Sequence, residues 1–219
     1  MSRILVVDDH AIVRHGVRQL LAGTPEKHLV GDAANANEAI RKLRAERWDL
    51  VLMDVNLPGK NGLEALKQIR IEWPAQKVLI FSVDPEECYA LRALRAGAAG
   101  YLTKTSPPEM LLTAIRRIVA GGKYITQSLA EKLASVVGTN LDRPPHENLT
   151  DREFQIFGML AAGKTVSQVA DELSLSVKTI STHRSKVLYK LGLRNNAELI
   201  HYHIRQIPRS AMAIREESA

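Results

Sequence analysis

Five times within the first 121 residues, a short apolar, β-branched run gives way to a longer amphipathic stretch, and few folds accept that alternation. Parallel strands cannot be joined by tight hairpins; they need crossovers of a dozen or more residues, usually helices. The pattern predicts strands over 3–7, 28–33, 49–53, 77–81 and 99–102, with helices near 10–22, 36–46, 61–72, 85–96 and 107–120. Asn35 with Glu38 and Ser106 with Glu109 are spaced as helix-opening pairs, and Gly97 and Gly121 follow helices where a left-handed residue commonly ends them. The expected class is therefore α/β, a five-stranded doubly wound parallel sheet filling residues 1–121.

The pattern then loosens. Residues 122–148 read as a linker with a short helix over 127–137, followed by a stretch around Pro144-Pro145 with no apolar period. Thr150 and Glu153 open a helix that Gly163 closes, and further helices are expected over 166–173, 177–191 and 196–205. No strand signal appears, so 149–207 is expected to be a small all-α domain and 208–219 a flexible tail.

Composition removes several function classes. No uninterrupted apolar run exceeds four residues, too short for a membrane span or the core of a secretory signal. One cysteine, Cys88, leaves neither an internal disulfide nor a cysteine-based zinc site, and the expected compartment is the cytoplasm. The net charge of +6 is spread over both parts, but residues 174–197 hold Lys178, Arg184, Lys186, Lys190 and Arg194 with no acid between them.

In a doubly wound sheet the functional crevice lies beyond the carboxyl ends of the strands. Asp8 and Asp9 follow strand one, Asp54 follows strand three, Ser82 ends strand four and Lys104 follows strand five. Taken singly, each could be a cap, a turn former or a solvated charge. Together they put three carboxylates on one rim, where carboxylates about 5 Å apart repel by about 3 kcal/mol per pair at an effective dielectric of about 20. Lys104 offsets part of that, and a hard divalent cation such as Mg²⁺ would offset the rest.

Carried by Val7-Asp8-Asp9-His10, Met53-Asp54-Val55-Asn56-Leu57-Pro58 with Gly59 and Gly62, Phe81-Ser82, and Gly97 through Lys104, the first part resembles the flavodoxin-like receiver domain of bacterial two-component response regulators. The resemblance implies that Asp54 accepts a phosphoryl group from a sensor histidine kinase. It implies Mg²⁺ held by Asp9, Asp54 and the Asn56 carbonyl, with Asp8 acting through water. It implies that Lys104 and Ser82 bind the phosphoryl oxygens, that Ser82 and Tyr101 form the switch pair, and that the chemistry is limited to gaining and losing this one group. Two positions depart from the common pattern: Thr105 rather than proline follows Lys104, and Ser82 stands where many receivers have threonine.

In the second part, the stretch 165–191 reads as helix, turn at Ser174-Leu175-Ser176, helix. Val177, Ile180, Val187, Leu188 and Leu191 form an inward stripe on the second helix, and Lys178, Ser181, Thr182, Ser185, Lys186 and Lys190 form the opposite face. Small hydroxyls flanked by cations suit a DNA major groove. Leu149 through Glu153, Leu160 through Thr165, Val169-Ala170 and Ser176 through His183 resemble the LuxR-type helix-turn-helix, so the whole chain resembles the NarL/FixJ type of response regulator. That resemblance implies double-stranded DNA with paired half-sites as partner, and a homodimer when phosphorylated. By position, Ser181, Thr182 and Ser185 face base edges and Lys178, Thr179, Lys186 and Lys190 face phosphates. The base-facing positions hold hydroxyls rather than the bidentate Arg or Lys that reads guanine, which leaves shape and water-mediated readout open.

Two other readings use the same residues. A Mg²⁺-dependent phosphatase with an aspartyl nucleophile would usually carry two Asp spaced two apart on the first strand, whereas Asp8 and Asp9 are adjacent. A phosphorylation-independent interaction module would not need the complete acidic set.

Overall fold

The computed structural model describes residues 1–131 and 144–206; the remainder of the expected 127–137 helix, part of the linker, and the 208–219 tail lie outside the described residues. The chain divides into two compact units, Met1–Glu131 and Lys132–Ala219.

In the first unit, β1 (Ser2–Val7), α1 (Ala11–Ala22), β2 (His28–Ala33), α2 (Ala36–Ala45), β3 (Leu50–Met53), α3 (Gly62–Glu72), β4 (Val78–Ser82), α4 (Glu86–Arg95), β5 (Gly100–Thr103) and α5 (Pro108–Val119) follow in strict alternation. The sheet has five strands in the order β2-β1-β3-β4-β5, every pair parallel. Because side chains alternate across a strand, each central strand feeds two cores. Ile4, Val6, Leu50, Leu52, Leu79 and Leu102 pack with α1 and α5 through Val17, Leu21, Leu111, Ile115 and Ile118. Leu5, Val7, Val51, Met53 and Ile80 point to the other side and are equally buried.

Asn35 caps α2 as expected, accepting from the Glu38 N–H at 2.9 Å. Ser106 does not cap α5: Pro107 is the N-cap and Pro108 the first helical residue, while the Ser106 hydroxyl pairs with that of Thr103 at 2.8 Å. A proline at N1 is pre-set for the helix and has no N–H to satisfy, so the start moves past the serine. After α5 the chain bonds back to the sheet, with Tyr124 bridging Gly100 in parallel. Residues 127–131 are helical.

The second unit contains a 3₁₀ turn (Pro145–Asn148), α6 (Asp151–Ala161), α7 (Val166–Glu172), α8 (Val177–Leu191) and α9 (Asn196–Gln206). A full capping box, Thr150 with Glu153, opens α6, and a second, Thr165 with Gln168, opens α7. Phe154, Phe157, Leu160, Val169, Ile180, Val187 and Leu199 are buried. Val177, expected in the inward stripe of α8, is half exposed. It is the first helical residue after the Ser176 cap, and the stripe proper begins one turn later at Ile180.

Candidate functional site: an acidic rim and a basic helix face

Sheet register sets the rim. Val7 pairs with Met53 and Ser82 with Thr103, so the residues that follow emerge at one level. The Asp54 N–H donates to Val7 O at 2.9 Å and the Lys104 N–H to Ser82 O at 2.7 Å, which fixes both backbones where the strands end. Asp8 and Asp54 are buried, whereas Asp9 is exposed.

Lys104 is clamped between two carboxylates. Its ammonium lies 2.6 Å from Asp8 Oδ2 and 2.8 Å from Asp54 Oδ2. Burial works against the charged lysine, but the charges and hydrogen bonds of Asp54 and Asp8 outweigh it and hold the ammonium above the usual lysine range. The other oxygen of Asp54, Oδ1, is buried and no described residue donates to it. An unsatisfied buried carboxylate oxygen is costly, and a cation is the group that would satisfy it. Ligand atoms from Asp8, Asp9, His10 and Asp54 all lie within 4.8 Å of one another, an arrangement that could hold a metal ion.

His10 and two residues that the sequence did not single out, Arg14 and Asp84, complete the rim. Arg14, on α1, donates to the backbone carbonyls of Asp8 at 2.7 Å and Asp9 at 3.2 Å, holding the acidic loop in place. His10 places its Nδ1 2.8 Å from Asp9 Oδ1. Asp84 is a third hub: its Oδ2 accepts from Asn56 Nδ2 at 2.6 Å and from the Ser82 hydroxyl at 3.1 Å, and its carbonyl accepts from the Tyr101 hydroxyl at 2.8 Å. Ser82 and Tyr101, expected to act as a pair, are thus brought together through Asp84, with the Ser82 hydroxyl turned to that carboxylate and the Tyr101 ring fully buried. Burial, then the negative charge of Asp84, pushes the Tyr101 phenol well above its ordinary range, so it remains a donor. The only signal for Asp84 in the sequence was its place two residues beyond Ser82 in a turn ahead of Pro85.

On α8, Lys178, Ser181, Thr182, Ser185 and Lys186 are exposed on one face and Thr179 is half-buried. Thr182 donates to Lys178 O and Ser185 to Ser181 O, both at 3.0 Å, so these hydroxyls present their lone pairs outward. Thr179 Oγ1 lies 2.8 Å from Ser176 Oγ at the helix start. Lys190, expected at a phosphate, pairs its ammonium with Glu153 at 2.6 Å, bracing α8 against α6. Burial raises the Glu153 pKa, but the hydrogen bond and charge of Lys190 together with the hydrogen bonds from Thr150 outweigh it and leave the carboxyl below its usual range. Ser174, with φ 53°, makes the left-handed turn between α7 and α8, and Ser176 caps α8 by accepting from the Thr179 N–H at 3.0 Å.

Among the described residues no helix is long and apolar enough to cross a membrane. Residues 4–116 match the response regulator receiver domain, and residues 147–203 match the bacterial regulatory proteins of the luxR family. Response regulator UvrY of Escherichia coli O157:H7 is 35% identical over 206 residues, covering 94% of each chain. Response regulator GacA of Pseudomonas aeruginosa is 37% identical over 200 residues, covering 91% of this chain and 94% of its own. Among solved structures, RcsB from Salmonella enterica serovar Typhimurium, bound to a promoter in the presence of phosphomimetic BeF3−, shares the fold with a TM-score of 0.63 at 23% identity over 92% of this chain and 97% of its own. A LuxR-family two-component response regulator from Aurantimonas sp. SI85-9A1 is 41% identical, with a TM-score of 0.58, over 64% of this chain and 99% of its own. Two domain matches in that order, and relatives aligned across nearly the whole length, carry one conclusion: this protein belongs to the two-component response regulators of the NarL/FixJ type, phosphorylation-dependent transcription regulators that join a receiver to a LuxR-type DNA-binding domain.

Proposed function

We propose that this chain takes a phosphoryl group on Asp54 from the phosphohistidine of a sensor kinase in the cytoplasm and converts it into a change in DNA affinity. The receiver spans 1–121, 122–148 joins the units, and 149–207 carries the DNA contacts. The observation that carries the reading is Asp54 itself: a buried carboxylate with Lys104 on one oxygen and no described donor on the other.

In the transfer, an Asp54 carboxylate oxygen forms a bond to phosphorus as the P–N bond breaks, and the kinase imidazole leaves with the electron pair. Asp8, Asp9, Asp54 and the Asn56 carbonyl are the residues for Mg²⁺, which supplies neutralisation of the phosphoryl oxygens when bound. Lys104 provides the remaining positive charge from a side chain already clamped in place. Ser82 reaches the phosphoryl group by giving up Asp84, and Tyr101 loses or keeps its bond to the Asp84 carbonyl with that loop. The only turnover this site supports is hydrolysis of its own acyl phosphate.

At the other end, α8 enters the major groove, with Lys178 and Lys186 on phosphates, Thr179 beside them, and Ser181, Thr182 and Ser185 on base edges. A homodimer on paired half-sites doubles these contacts. A small phosphodonor with Mg²⁺ should label the wild type and not Asp54→Asn, and labelling should tighten DNA binding; equal labelling of the two proteins would refute the reading.

A further inference from the structure

His10 stands at the N-cap of α1, the position whose side chain ordinarily bonds an N–H of the first turn, yet it makes no such bond. Its backbone N–H donates to Asp8 Oδ1 at 2.9 Å, and its ring turns back to the carboxylates, with Nδ1 2.8 Å from Asp9 Oδ1 and 3.3 Å from Asp8 Oδ1. In an octahedral shell with bonds of about 2.0–2.1 Å, neighbouring donors sit about 3 Å apart and opposite donors about 4.2 Å apart. The ring nitrogen is thus already at the spacing of an adjacent ligand to Asp9. The full spread of 4.8 Å across Asp8, Asp9, His10 and Asp54 is slightly wide for that shell, and His10 and Asp9 are the two exposed members able to close it. Within that group the buried Asp54 Oδ1 lacks a described donor, while Lys104 occupies only the Oδ2 atoms of Asp8 and Asp54.

We propose that His10 is a nitrogen ligand of the rim's divalent cation, shifting this receiver's preference from Mg²⁺ toward first-row transition-metal ions, with Mn²⁺ as the spectroscopic probe of that series. The inference rests on the rim being a cation site. Its chemistry follows from the donor: oxygen-only sets suit Mg²⁺, whereas an imidazole favours later, softer divalent metals. With three carboxylates and Lys104 fixed, a neutral imidazole adds a ligand without adding charge.

The test uses the full chain, with Mn²⁺ binding followed by electron paramagnetic resonance and Mg²⁺ by competition against it. Wild type should bind one Mn²⁺, lose it in Asp54→Asn, and show ¹⁴N coupling of a directly bound imidazole in pulsed spectra. In His10→Ala that coupling should vanish and the Mn²⁺-to-Mg²⁺ affinity ratio should fall by about tenfold. His10→Asn, which supplies a good N-cap and so preserves the start of α1, should also lose the coupling. Mn²⁺ bound through Asp54 with no nitrogen coupling, or an unchanged ratio in both variants, overturns the role of His10 and leaves the cation site standing. No Mn²⁺ bound by wild type overturns both.

Discussion

The backbone carbonyl of Asp54 occupies the space where a side chain at residue 62 would begin: a Cβ on Gly62 would fall 1.8 Å from that oxygen. The loop after β3 doubles back so tightly that the Gly62 N–H donates to Val55 O at 2.9 Å while α3 starts beside Asp54. Gly62→Ala must push Asp54 or α3 aside. Urea unfolding should show a loss of about 1–3 kcal/mol, as for overpacked interiors, together with loss of phosphoryl uptake. Normal uptake in a protein of normal stability would show that the loop yields freely.

Asp84 restrains Ser82 and Asn56 together through one oxygen. Replacing it with alanine releases the Ser82 hydroxyl and removes a negative charge beside the incoming phosphoryl group. Phosphoryl uptake from a small donor should accelerate about fivefold, the equivalent of one hydrogen bond of about 1 kcal/mol. An unchanged or slower rate would mean that Asp84 does not oppose the reaction.

His203 gives the second unit a sensitivity to acid. Its ring packs on Phe157 with centroids 5.3 Å apart, its buried Nδ1 has no hydrogen-bond partner among the described residues, and burial lowers its pKa. The native state therefore binds fewer protons than the unfolded one in this range, so stability is full above the ordinary histidine value of 6.5 and declines as pH falls below it toward the lowered value. Hydrogen exchange of α6 and α9 at pH 7 and pH 5 should show the decline in wild type and a smaller one in His203→Phe. Equal declines would assign the effect elsewhere.

Two lysines of α8 should separate cleanly in DNA binding. Lys186 is exposed on the hydroxyl face, and its replacement by alanine should weaken binding across all sequences and reduce the salt slope by about 1. Lys190 is held by Glu153, so Lys190→Ala should leave the slope unchanged and instead loosen α8 from α6 in hydrogen exchange. A reduced slope for Lys190→Ala would restore it to the phosphate contacts.

The strands were legible because a parallel sheet buries both faces, so Ile4 through Val7, Leu50 through Met53 and Val78 through Phe81 read as unbroken apolar runs. Asp8, Asp54 and Lys104 followed from topology alone, since strand ends share a rim. What stayed hidden depended on where side chains turn. The pairing of Lys190 with Glu153 spans 37 residues of chain, and the link from Asn56 to Asp84 spans 28. Arg14 sits in an ordinary amphipathic pattern that gives no hint of its reach back to Asp8 and Asp9, and the motif that carries His10 does not show its ring turning to Asp9. The helix-opening pattern at Ser106 was genuine as a spacing but lost to the two prolines that follow it.

Tyr124 lies three residues beyond the end of the sheet unit expected from sequence, and its N–H donates to Ala99 O at 2.9 Å as it closes on Gly100. The chain's exit from the receiver is thereby moored to the flank of β5, the strand that also carries Tyr101. A Cβ on Gly100 would come within 2.5 Å of the Tyr124 carbonyl, so only glycine permits the mooring. The chain beyond the sheet thus starts from β5, and any displacement of that strand would carry the Tyr124 anchor point as well as the Tyr101 ring.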